Sequence, residues 1–254
     1  MAVVTASFPN IPSTGEARPL PASAIWSIAR EARRQLCGGL WAKPLPADAM
    51  IRRVELLVAN GIRLVPVWDC QSEVHDEQGL PVAGACEYDS DSPENIYLSL
   101  NPAVIGERPD LAASTAAHEL GHAIFDGPAS VIACRSKARH VTPDERHFDT
   151  TGPKNEEYWS EYRANEFMGG LLAPPDLLHR AMVMRAREFG ITLINRSGHA
   201  GKPGYPVIDG QVWDMVEQDA LLDDLAGMFG VSAAFIWVRL NKYRFVANAQ
   251  PGRV

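Results

Sequence analysis

No stretch of about eighteen consecutive apolar residues occurs in the chain, which argues against a simple membrane-spanning helix. The first twenty residues also lack the basic start and long apolar core of a secretory signal, so a soluble, cytoplasmic protein with no membrane partner is expected. Cysteine is sparse. Cys37, Cys70, Cys86 and Cys134 are scattered with no C-x-x-C pair, which argues against a zinc knuckle or dithiol redox centre and for reduced, mostly buried thiols. An excess of positive charge is missing too: 24 Lys plus Arg stand against 31 Asp plus Glu, a net charge of −7, so direct nucleic-acid binding through bulk charge is disfavoured. No internal repeat is visible. What remains is a chain of 254 residues, 46% hydrophobic, able to bury one substantial core with a small helical end attached.

Residues 1–20 hold Pro9, Pro12 and Pro19 among small polar residues without periodicity, and read as a flexible N-terminal arm. A main domain follows over 21–210. Ala22 to Leu36 carries a helical pattern anchored by Ile25, Trp26 and Ile28, and Ala47 to Ala59 reads as a second helix stopped by Asn60-Gly61. Ile62 to Trp68 has strand character, and Gly84–Tyr88 with Asn95–Leu100 flank a turn-rich cluster as a hairpin would. The edge of such a strand can pair with an extended peptide. Residues 127–155, which include His140 and His147, read as an insertion over the site. Glu156 to Leu172 is helical again, stopped by Pro174-Pro175, and Asp176 to Phe189 is a further amphipathic helix. Asn195 to Pro206 reads as a loop, and the segment 211–254 closes with two helices, Gln211–Phe229 and Ser232–Tyr243.

The most informative residues are His118-Glu119-Leu120-Gly121-His122. Histidines at i and i+4 of a helix present two imidazoles on one face with a glutamate beside them, the arrangement of a zinc peptidase. Asp110 or a neighbour can cap this helix, the alanines ahead of the motif favour it, and Gly121 permits close approach of another segment. A catalytic zinc normally takes three protein ligands. Glu161 is the candidate third, with Asn165 one turn behind it, placed to accept the spare N–H of a liganded histidine. Alone, Glu161 would pass for one of several acids on a solvated helix beside Glu156, Glu157 and Glu166; the upstream motif tips the reading towards a ligand. His140, His147 and Glu157 are next in line.

On these residues the chain resembles the ImmA/IrrE family of intracellular zinc metallopeptidases, in which an HELGH helix precedes a helix reading E-x-x-A-N-x-F-A and then L-L-x-P. Here the second element is Glu161, Ala164, Asn165, Phe167, Leu171, Leu172 and Pro174, and the similarity extends over residues 47–243 to Leu225–Ser232 and Arg239-Leu240. Two departures stand out: Met168 replaces a small residue after Phe167, and 38 residues separate His122 from Glu161. The resemblance implies an α+β, zincin-like metallopeptidase domain, mostly helical with a small β-sheet, followed by a helix-turn-helix-like helical pair. It further implies Zn2+ held by His118, His122 and Glu161, with Glu119 as general base on zinc-bound water. The substrate it implies is a regulatory protein, such as a helix-turn-helix repressor, cut at a limited number of bonds.

Tyr158, Tyr162, His199 and Tyr205 are candidates by type for stabilising a developing oxyanion, and spacing does not choose among them. A competing reading makes Leu221–Tyr243 a DNA-binding helix-turn-helix, with Arg239, Lys242 and Arg244 facing phosphate. Glu217, Asp219, Asp223 and Asp224 on its first helix oppose that reading, and Leu222, Leu225, Phe229, Phe235 and Leu240 suit a helical pair that completes the fold. A third reading is a metal-dependent regulator that binds its partner without cutting it.

Overall fold

A computed structural model of the chain describes residues 2–38, 43–76, 78–139, 154–197 and 204–248. It is an α+β protein that divides into two compact units, Met1–Gly39 with Leu45–Leu172, and Leu40–Pro44 with Ala173–Val254. The division after Leu172 differs from the expected one near residue 210.

The first unit contains a five-stranded mixed sheet built from β1 (Ala2–Ala6), β2 (Val54–Ala59), β3 (Ile62–Asp69), β4 (Gly84–Tyr88) and β5 (Asn95–Leu100). The strand order is β1-β2-β3-β5-β4, with β1 parallel to β2, β3 parallel to β5, and the other neighbours antiparallel. The β4/β5 hairpin has the bounds its alternation predicts. Two expectations fail here. The arm over 1–20 opens as strand β1, whose Val4 and Ala6 are buried, and Phe8 just beyond it packs against Phe125 with ring centroids 5.0 Å apart. The helix expected over Ala47–Ala59 stops at Arg53, because Val54–Ala59 finds β-sheet partners on both sides. Asn60-Gly61 is then a two-residue hairpin loop rather than a helix stop: Ala59 pairs with Ile62, and φ is 50° at Asn60 and 81° at Gly61, as a type I′ turn requires.

Helices of this unit are α1 (Ala22–Cys37), α2 (Ala47–Arg53), α3 (Pro102–Ile105), α4 (Pro109–Phe125), α5 (Gly127–Arg139) and α6 (Lys154–Leu172). The first half of the expected insertion is therefore helical, and residues 140–153 lie outside the described residues. Helix α6 packs on both α1 and α4. A Cβ on Gly121 would lie 2.9 Å from Ala164 Cα, and one on Gly170 would lie 2.9 Å from Ala29 Cβ, so each interface closes to a distance only glycine allows. Two polar links add direction to the α1/α6 packing. Trp26 Nε1 donates to the buried Glu166 at 2.7 Å, and fully buried Arg33 donates to the Leu171 carbonyl at 2.8 Å, satisfying an acceptor at the end of α6. Glu166 is thus a core acid and not part of a solvated face.

The second unit holds α7 (Pro175–Glu188), α8 (Met215–Phe229), α9 (Ala233–Lys242) and a three-stranded sheet of β6 (Leu193–Arg196), β7 (Tyr205–Asp209) and β8 (Val246–Ala247). The loop expected over 195–206 thus begins and ends in paired strands. Arg185 of α7 grips Asp224 of α8 through two bonds of 2.7 and 2.9 Å, which ties residues after 172 to the C-terminal helices and accounts for the boundary. Asp214 and Ser232 cap α8 and α9 by accepting from Glu217 N and Phe235 N, and Gly230 at φ 69° turns the chain between helices bent by 98°. Leu221, Leu225, Phe229, Ile236 and Leu240 form the buried seam of this pair. No single helix among the described residues is long and apolar enough to cross a membrane.

Candidate metal centre

Helix α4 begins with Pro109 at its first turn and Asp110 just inside, where an acid complements the helix dipole, although no side chain caps it. Its interior alanines and Leu120, Ala123 and Ile124 are buried, which fixes the helix's rotation and turns His118 and His122 towards a cleft of about 430 Å³. Helix α6 forms another wall and brings Glu161 across from the two histidines. Edge strand β4 supplies a third side through Gly84, Ala85, Cys86 and Tyr88.

The three expected ligands meet. His118 Nε2 and His122 Nε2 lie 3.1 Å apart, Glu161 Oε1 is 3.2 Å from His122 Nε2, and Glu161 Oε2 is 3.5 Å from His118 Nε2. Ligand atoms held tetrahedrally at about 2.0–2.1 Å from one metal ion sit about 3.3 Å apart, so these spacings fit a shared ion. His118, His122 and Glu161 could therefore hold a metal, and the donor set of two imidazoles and a carboxylate suits zinc. The two imidazoles hold the Glu161 carboxyl far below the usual carboxylate range, so it is an anion ready to ligate.

Glu119 is 6% exposed and lines the cleft without joining the three converging ligands. Burial pushes its carboxyl up and the Glu161 carboxylate adds to this, against the pull of both imidazoles. A carboxylate raised in this way takes up a proton more readily.

His122 is oriented from behind by a group not anticipated above. Asp126 Oδ2 and Ser160 Oγ both lie 3.1 Å from its Nδ1, Ser160 donates to Asp126 at 2.6 Å, and Arg163 donates to Asp126 Oδ1 at 2.8 Å. At His122 the place expected for Asn165 is held by Asp126 and Ser160, while Asn165 Nδ2 donates to the Glu161 main-chain carbonyl at 2.9 Å. With Nδ1 engaged by Asp126, Nε2 is the nitrogen that faces the cleft, and it is the one left to ligate once its proton is lost. Burial alone would lower the His122 pKa, but Asp126 and Glu161 outweigh it and raise the metal-free imidazole to about 9. Burial likewise acts to raise Asp126, and His122, Ser160 and Arg163 together bring it below its usual value. The signal was available in sequence: Asp126 stands four residues after His122, on the same helical face.

Of the oxyanion candidates, Tyr158 is exposed and stacks on Tyr162, Tyr205 lies in β7 against His179, and His199 falls outside the described residues. The tyrosine that lines the cleft is Tyr88, whose hydroxyl donates to the His122 carbonyl at 3.2 Å. The alternative ligands His140 and His147, and the side chain of Glu157, also lie outside the described residues. All four cysteines are free, with Cys70 exposed and the others only half-buried, contrary to the expectation of mostly buried thiols. No protein-family model matches the chain, and no curated protein matches it significantly.

Proposed function

We propose that the protein is a zinc-dependent endopeptidase of the cytoplasm. The observation that carries this reading is the convergence of His118, His122 and Glu161 at 3.1–3.5 Å with the buried Glu119 carboxylate beside them in an open cleft. Zinc, when bound, supplies a Lewis acid that lowers the pKa of water and polarises a peptide carbonyl. Glu119 is the group that accepts the proton of the attacking water and passes it to the leaving amine, for which its raised pKa suits it. Asp126, braced by Ser160 and Arg163, keeps the Nδ1 proton on His122 and so keeps Nε2 available. Edge strand β4, along one wall, offers unpaired backbone groups to an extended peptide, which aligns the substrate over Glu119. The zincin-like assignment of the fold, and a regulatory protein such as a helix-turn-helix repressor as substrate, rest on the motif resemblance.

The DNA-binding alternative draws support from the 98° bend between α8 and α9, within the range of helix-turn-helix pairs. Against it, Arg239 is 3% exposed and stacks over Phe235 at 5.4 Å, while Asp219 and Asp223 are exposed. Zinc per chain in wild type, Glu161→Ala and Glu119→Gln tests the enzyme reading. About one zinc in wild type and Glu119→Gln and little in Glu161→Ala is expected, with peptide cleavage in wild type only. No zinc in folded wild type supplied with metal would sink it.

A further inference from the structure

We propose that a hollow beside His118 and Glu119 is the subsite for an apolar substrate side chain flanking the cleaved bond, with Met168 setting its size; this rests on the peptidase reading above. The hollow, about 270 Å³, shares Gly84, His118 and Glu119 with the metal cleft and continues past them to Ala83, Thr115 and Met168. The shared walls put it next to the reacting centre. It lies towards the start of β4 and one helical turn before the histidines on α4, so a peptide paired along β4 crosses the metal site and reaches it.

The chemistry of the walls selects the occupant. A Cβ on Gly84 would lie 2.4 Å from Thr115 Cγ2 and 2.8 Å from the Ser99 carbonyl oxygen, so only glycine lets the threonine methyl close against the strand as part of this wall. Ser114, also on the wall, directs its hydroxyl to the Asp110 and Leu111 carbonyls of its own helix, both at 3.0 Å. Apart from His118 and Glu119 the lining carries no charged side chain. Methyl, methylene and thioether groups and the Thr115 hydroxyl remain, so an acidic substrate side chain would be desolvated beside Glu119, and a basic one could pair only with the Glu119 carboxylate that the reaction itself needs. An apolar one gains affinity of about fourfold for each CH₂ buried. The long Met168 side chain on the wall takes up room that a smaller residue would leave open, so the subsite suits leucine or methionine over an aromatic ring.

The test is calorimetric titration of the zinc-loaded protein with acetohydroxamate and with two hydroxamate series carrying leucine, phenylalanine, lysine or aspartate side chains. In one series the side chain sits on the carbon next to the chelating group, and in the other one carbon further, so both sides of the cleaved bond are sampled. Met168→Ala, with zinc content and thermal midpoint checked against wild type, is titrated in parallel. The expected result is that in one series the leucine compound binds about tenfold or more tighter than acetohydroxamate and the charged compounds gain nothing. In Met168→Ala the preference moves to phenylalanine. If acetohydroxamate binds but no side chain improves affinity in either series, or a charged one is preferred, or Met168→Ala leaves the order unchanged, the subsite is refuted and the metal site stands. If no hydroxamate binds the zinc-loaded protein, the metal-site reading falls and the subsite with it.

Discussion

Replacing Gly121 by alanine tests whether the ligand triad is set by the closeness of two helices. The added Cβ would lie 2.9 Å from Ala164 Cα, 3.3 Å from Ala164 O and 3.4 Å from Ala164 Cβ, all backbone or stiff atoms of α6. Comfortable contact between carbons lies at about 3.5–4.0 Å, so α6 must retreat by roughly 0.6–1 Å at this point. Glu161 is one turn away on the same helix, and a usable metal site tolerates only about 0.2 Å in its ligand distances. Alanine in place of a helical glycine gains about 1 kcal/mol, whereas overpacking a core contact costs about 1–3 kcal/mol. The expectation is a metal-free protein destabilised by up to about 2 kcal/mol, with zinc affinity reduced as well. Gly227→Ala is the control, since Gly227 lies in α8 with nothing within 4 Å of a built Cβ. That change should stabilise by up to about 1 kcal/mol. Urea midpoints and zinc competition against a chelator measure both. A Gly121→Ala protein as stable as wild type with undiminished zinc affinity would refute the reasoning.

Asp126→Asn removes the anion that holds the His122 tautomer, and a loss of about 10–100-fold in zinc affinity is expected with the fold intact; unchanged affinity would make the Asp126 network structural only. Arg33→Ala deletes a buried charged donor to the Leu171 carbonyl, and should cost about 1.5–3 kcal/mol in urea unfolding. The metal-free protein should also respond to pH. His122 is raised from 6.5 to about 9 in the fold, so its contribution is complete below pH 6.5 and is lost as pH rises towards 9. Glu161, held low, contributes above its ordinary value of 4.5 and loses this as pH falls. The thermal midpoint of metal-free wild type should therefore fall from pH 6.5 to 9, and the fall should shrink in His122→Gln; equal slopes would count against the ion pairs.

The motif helix and the β4/β5 hairpin were legible because their signals are local: i, i+4 spacing in one, alternation bounded by turn residues in the other. Gly121 could be read as a point of close approach, and Ala164 is what approaches. Strand β2 was not legible. Val54–Ala59 follows a helix without a break, and Asn60-Gly61 serves equally as a helix stop and as a hairpin turn, so only pairing with β1 and β3 decides. The same holds for β1, hidden beside prolines, and for β6 to β8, each at most five residues long. Ser160 and Arg163 carry no signal of their own, because their target, Asp126, is distant in sequence and neither stands out by type.

The docking of α6 has a consequence for when the chain acquires its chemistry. His118 and His122 alone form a two-imidazole chelate on one helix, available as soon as that helix exists. Glu161 joins them only after α6 has settled between α4 and α1, and the Trp26–Glu166 and Arg33–Leu171 links that seat it bridge 140 and 138 residues of sequence. Contacts of such separation are late and costly to form. A partly synthesised or partly unfolded chain therefore offers a metal ion two ligands and no complete centre, so the three-ligand site arrives together with the finished tertiary structure. Metal retention then becomes a sensor of folding, and damage to α1, far from any of the three ligands in sequence, reads out as a loss of metal-binding capacity.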